Sequence, residues 1–290
     1  MTSESTAPII RTVLHPSDFS EASLAAFAHA LKAALISKGK LVLIHVTDED
    51  ETQPTEFPRV RETLERWKLL PAGSPRSAVA ELGIDVAKVI GNAPNPVKGV
   101  LGFIERYGAA DLVVLATHHH GLDWLHHSIS EPVARKSGEM TLFVPADAHG
   151  FVSLTDGSVS LRNILIPIAT TPRPEPAIAG AARLVEQLKC ESGKFTLLHV
   201  GEEGSAPPVV TPDVPGWTWD WVTRQGNVIE VILETARRAD TDLILMSTDG
   251  RNGFLDALRG SHSERVLRHA PCPLLAIPEY SHVGRVISRE

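Results

Sequence analysis

Cysteine is scarce in this chain: among 290 residues only Cys190 and Cys272 carry thiols. Two cysteines this far apart form no disulfide scaffold and no metal or redox spacing, and they suit a reducing compartment. A basic excess is missing as well. The 28 Lys and Arg stand against 35 Asp and Glu, a formal charge of −7, so the phosphates of a nucleic acid or an anionic membrane find no general counter-charge. The opening residues, MTSESTAPII, lack the basic start and apolar stretch of a signal peptide. No apolar run approaches bilayer-spanning length. These absences lead to the expectation of a soluble cytoplasmic protein with neither nucleic acid nor membrane as partner. What is present is core-forming material, 43% apolar and 22% charged, which excludes a disordered chain and a collagen-like fibre. The length suits two domains of common size.

The chain repeats itself in order. Arg11 to Asp18 (RTVLHPSD) matches Arg162 to Ala169 (RNILIPIA), Lys40 to Val46 (KLVLIHV) matches Lys194 to Val200 (KFTLLHV), and Asp111 to Ala116 (DLVVLA) matches Asp242 to Ser247 (DLILMS). Leu122 to Arg135 matches Leu255 to Arg268 with eight of fourteen positions identical. Matches of this length and spread indicate duplication of a whole domain rather than a short solenoid unit. Each half alternates short continuous apolar runs with helical patterns, the signature of strands buried on both faces and joined by crossover helices. Helices are expected from Ser20, read as an N-cap, and over 57–70 and 96–107. The last strands are expected at 141–145 and 274–278. The division expected is 1–148, a linker at 149–160, and 161–290.

The halves differ in detail. Residues 201–226 carry Pro207, Pro208, Pro212 and Pro215, which leaves no room for the helix that the first half has between its second and third strands. Trp217, Trp219 and Trp221 alternate, so three indoles share one strand face. They are read as covering core left bare by the missing helix, with a stacking site as the alternative. In the linker, Asp156-Gly157 favours a tight hairpin, and a plain extended connection is the alternative.

The most informative stretch follows the fourth strand of the second half, Ser247-x2-Gly250-x9-Gly260-Ser261. Ser261-His-Ser-Glu264 is a capping box, which places Gly260 and Ser261 at a helix N-terminus where free N–H groups favour an anion. Glycine lacks Cβ and lets backbone approach a phosphate closely. In an open parallel sheet such a loop lies at the ligand crevice. A plain reading, in which the glycines shape turns and Ser261 only caps, stands beside this one.

This spacing resembles the nucleotide-binding signature of the universal stress protein family, Gly-x2-Gly-x9-Gly-Ser/Thr. Arg268 to Pro278 is similar to that family's closing helix and strand, and Pro16-Ser-Asp18 to its opening. The resemblance covers both halves and implies a tandem member. The fold it implies is α/β, two tandem domains, each an open five-stranded parallel sheet flanked by helices (adenine nucleotide alpha hydrolase-like, Rossmann-like). It further implies an intramolecular pseudo-dimer paired through 141–145 and 274–278. ATP-binding members use an aspartate after the first strand, a valine after the second, and the glycine loop. The second half keeps Val200, Gly250, Gly260 and Ser261, with Ser247 for the first glycine and Ala169 for the aspartate. The first half keeps Asp18, Val46 and Ser128, but Ala116 and His127 replace glycines in a loop two residues shorter. Asp18 is read equally as a turn cap. The expected ligand is therefore ATP or another adenine nucleotide with Mg²⁺, held in the second half.

His118, His119, His120, His126 and His127 crowd one loop of the first half. Adjacent residues seldom converge on one ion, so a polar loop that has lost a phosphate role is favoured over a Zn²⁺ or Ni²⁺ site or a pH sensor. His45 and His199 are read as packing or hydrogen-bonding at strand ends, and Cys272 as a buried inert thiol. The functional expectation is a non-catalytic stress-response protein, gated by nucleotide and acting on other proteins, with a possible homodimer. The alternatives are a nucleotide-independent interaction scaffold, a weak ATPase, and a metal- or pH-responsive protein.

Overall fold

The structure is a computed structural model, and it describes residues 10–21, 23–48, 56–107, 110–117, 129–146, 148, 150–248 and 269–279. In order these form β1 (Thr12–Pro16), α1 (Ser23–Ser37), β2 (Lys40–Thr47), α2 (Val60–Arg66), α3 (Ala78–Glu81), β3 (Asp85–Asn92), α4 (Pro96–Tyr107), β4 (Leu112–Thr117), α5 (Ser130–Ser137) and β5 (Met140–Pro145). The second series is β6 (Asn163–Ile168), α6 (Glu175–Gln187), β7 (Gly193–Val200), β8 (Trp217–Arg224), α7 (Val228–Arg238), β9 (Leu243–Thr248) and β10 (Leu274–Pro278).

Val13 and Leu14 are neighbours in β1, both wholly buried, and they serve opposite faces of the sheet. Successive strand residues point to opposite sides, so a run that is apolar at every position needs cover on both. That cover comes from α1, α2 and α6 on one face and from α4, α5 and α7 on the other. The ten strands form one sheet in the order β3-β2-β1-β4-β5-β10-β9-β6-β7-β8. Neighbours are parallel except at the centre, where β5 and β10 run antiparallel with Leu275 opposite Leu142. The two five-stranded halves thus meet through 141–145 and 274–278, as the pseudo-dimer expectation has it.

Two local expectations change, and one strand is new. The first helix begins at Ser23 rather than at a Ser20 cap; Ser20 gives its hydroxyl proton to Asp18 Oδ1, and its carbonyl accepts from Ser23 N–H. Within 57–70, only Val60–Arg66 is helical. β3 has no continuous apolar run to announce it: it is an edge strand in which Asp85, Lys88 and Asn92 are exposed.

Residues 201–216 contain no helix, and β8 follows directly. Trp217 and Trp219 lie against Phe195 with ring centroids 4.5 and 4.1 Å away, and their indole N–H groups reach Cys190 O and Pro212 O. They cover core as expected of them, whereas Trp221 is 52% exposed. The connection between the halves turns back on itself through an antiparallel bridge from Val152 to Val159, with Gly157 at φ +71°. It is tied to the first half by Trp67 Nε1–H to Leu154 O and by the Lys32 ammonium to Gly157 O.

Candidate functional site

Within each half the strand order is 3-2-1-4-5, so the chain direction of growth reverses between the first and fourth strands. In open parallel sheets this reversal is where a ligand crevice is expected, beyond the carboxyl ends of those strands. The strands concerned are β6 and β9 with neighbouring β7 in the second half, and β1 and β4 with neighbouring β2 in the first.

In the second half, Ser247 lies in β9 and is buried. Its hydroxyl accepts the Ala177 N–H at 3.2 Å. That N–H belongs to the first turn of α6 and has no partner within the helix, so Ser247 fastens α6 to β9. Val200 ends β7, half-buried against the core on the α7 side. His199, just before it, sets Nδ1 3.3 Å from Ile168 O and Nε2 2.9 Å from Ser205 Oγ. Ala169 and Thr170, which follow β6, are exposed, and neither supplies a carboxylate. Gly250, Gly260 and Ser261 lie outside the described residues.

The first half repeats the frame. His45 Nδ1 stands 2.7 Å from Ser17 O, the counterpart of Ile168. Asp18 is exposed, and its Oδ1 accepts from the Ser20 N–H at 3.0 Å and the Ser20 hydroxyl at 2.7 Å, so it holds the turn after β1. Phe19, at φ +62°, stacks on His45 at 4.1 Å and meets Phe57 edge-on at 5.0 Å. Val46 lies under α4 so closely that a Cβ on Gly99 would be 2.5 Å from it. Ser128 and the cluster His118, His119, His120, His126 and His127 lie outside the described residues. Among the described residues no group of three or more His, Cys, Asp or Glu converges as a metal site, and no helix is long and apolar enough to cross a membrane.

Sequence reasoning missed the ring stack of Phe19, His45 and Phe57, which no spacing rule signals. It also missed two buried histidines, His15 and His29. Burial pushes each down from 6.5 to about 4, against the raising effect of hydrogen bonds to Val114 O and Ala25 O respectively. Cys272 is buried as expected, and burial, with the nearby Asp242 charge, pushes its thiol up to about 12.

Comparison with known proteins follows the same lines. Residues 10–145 and 215–278, more than half of the chain, match the Universal stress protein family. A universal stress protein of Methanocaldococcus jannaschii is 44% identical over 53 residues, 18% of this chain and 31% of that relative's length. The crystal structure of a universal stress protein from Archaeoglobus fulgidus overlays with a TM-score of 0.56 at 17% identity, covering 93% of this chain and 96% of that one. A universal stress protein solved in complex with cAMP is 23% identical and covers 48% of this chain and 98% of its own, with a TM-score of 0.30.

Proposed function

This chain belongs to the universal stress protein family, and on that footing we propose that it is a non-catalytic stress-response protein binding ATP or a related adenine nucleotide in the crevice of its second half. One observation carries the reading. The loop bearing Gly250, Gly260 and Ser261 leaves β9 where the strand order reverses, the place at which open parallel sheets receive ligands. There the backbone N–H groups at Gly260 and Ser261 would take phosphate oxygens, with Mg²⁺ balancing their charge, and Val200 would border the nucleoside. The open edge at Ala169 leaves space for a base but no acceptor for it, so affinity is expected to be modest. The loop has no Walker-type lysine and no evident general base, and hydrolysis would be slow and incidental. The division at 149–160 and a role in gating other proteins, with or without a second copy of the chain, belong to the same proposal.

The absent carboxylate at Ala169 favours a second reading, a scaffold that works without nucleotide. Calorimetric titration with ATP and Mg²⁺ separates the two. Saturable binding that a Gly260→Trp substitution removes supports the first. No heat at millimolar ATP overturns it in favour of the scaffold.

A further inference from the structure

Where the two halves meet, a cavity of about 380 Å³ opens on the face of the sheet that carries α1 and α6. This size lies within the usual range for small-molecule sites. Its floor is Leu142 of β5 with Leu275 and Ile277 of β10, recessed to between 5% and 8% exposure. Its walls are the two helices, which face it with small residues, Ala33 from α1 and Ala179 and Gly180 from α6. Gly180 sits so near β10 that a Cβ there would lie 2.4 Å from Ile277 Cδ1. The space exists because the antiparallel β5–β10 contact joins the strands while α1 and α6 stand to either side of it.

Few polar groups face this cavity, and most are already committed. His29 closes one end as an aromatic surface. Its Nδ1 stands 2.7 Å from Ala25 O, its Nε2 accepts from Val152 N–H, and its ring meets Phe151 edge-on. The Lys32 ammonium reaches away to Gly157 O, leaving its methylene stem along the wall. Arg173 is paired with Glu279. Arg183, one helical turn along α6 from Ala179, forms no ion pair among the described residues. A single free guanidinium beside an apolar chamber matches one carboxylate at the end of an apolar body. Glu175, also at the wall, opposes a ligand of higher negative charge.

We propose that this cavity binds a single-chain amphipathic carboxylate, its apolar body lying over β5 and β10 between α1 and α6 and its carboxylate held by Arg183. The site is formed by both halves at once and rests on no part of the nucleotide reading.

Dodecanoate, kept below its micelle concentration, is the probe, read by calorimetry on the full chain. Saturable binding is expected in the unaltered protein. Arg183→Gln is expected to weaken it by about tenfold or more, the loss of a charge-assisted pair. Ala179→Trp, which fills the chamber from a surface helix, is expected to abolish it. Ala33→Leu serves as a second filling variant should Ala179→Trp unfold, and a thermal melt of each variant shows that it folds. Absence of saturable binding overturns the proposal, and so does binding that both a folded filling variant and Arg183→Gln leave unchanged. Titration of the filling variant with ATP separates the two sites, because its loss of dodecanoate is expected without any change in nucleotide binding.

Discussion

The Ser247 hydroxyl accepts the backbone N–H of Ala177 at 3.2 Å, joining the fourth strand of the second half to the first turn of α6. This is the position at which the family signature has its first glycine. A glycine there has no side-chain acceptor to offer, so the departure from the signature has a structural return in this chain. Ser247→Ala is expected to lower stability by about 1–2 kcal/mol, the cost of leaving a buried donor unmatched, measured by urea denaturation. An unchanged midpoint would show that water takes the place of the hydroxyl.

Ala169 suggests the complementary experiment. Ala169→Asp restores a carboxylate at an exposed position where β6 ends. With a charged acceptor for the nucleoside, ATP affinity is expected to rise by roughly tenfold, seen as a lower Kd in calorimetry with little change in melting temperature. If affinity stays the same, the nucleoside lies elsewhere.

Asp111 and Asp242 are a duplicated clamp. Asp111 Oδ2 accepts the N–H groups of Arg11 and Thr12, each at 2.8 Å, and Asp242 Oδ2 accepts those of Arg162 and Asn163 at the same distances. Each carboxylate ties the start of a first strand to the start of the fourth strand beside it. Asp242→Ala removes a charged acceptor from two N–H groups, one exposed and one part-buried, and is expected to destabilise by about 1–2 kcal/mol. Asp111→Ala should cost a similar amount, and equal shifts in denaturation midpoint would test the equivalence of the halves.

His15 and His29 give the protein an acid limit. Folded, both stay neutral down to about pH 4, and their ordinary value is 6.5. Between those values the unfolded chain binds more protons than the folded one. Their contribution is therefore complete above pH 6.5 and is lost as pH falls towards 4. The slope is about 1.4 kcal/mol per pH unit for each histidine. Urea midpoints measured at pH 7 and pH 5 should show the decline, and His29→Phe should remove one proton from the slope.

Much of the fold is legible in sequence because the strands are buried on both faces. β1, β2, β4 and β5 read as unbroken apolar runs, and their counterparts β6, β7, β9 and β10 repeat them. Edge strands β3 and β8 are the exceptions, because polar residues interrupt them where the rim of the sheet is only partly covered. The candidate site is legible only as loop spacing. Ser247 reads there as a mild substitute for glycine, and its hydrogen bond to Ala177, seventy residues distant in sequence, has no local signature. Asp18 reads equally as ligand or turn cap, and the turn that binds it to Ser20 shows the second role directly.

The sequence by itself determined the duplication, the α/β class and the inequality of the halves, because these follow from apolar periodicity, proline placement and matched residues along one dimension. Tertiary structure decided the rest. The antiparallel meeting of β5 with β10 places Leu142 beside Leu275 and leaves a chamber between α1 and α6. Such a space depends on where whole helices stand over a sheet, and no spacing of residues within either half encodes it.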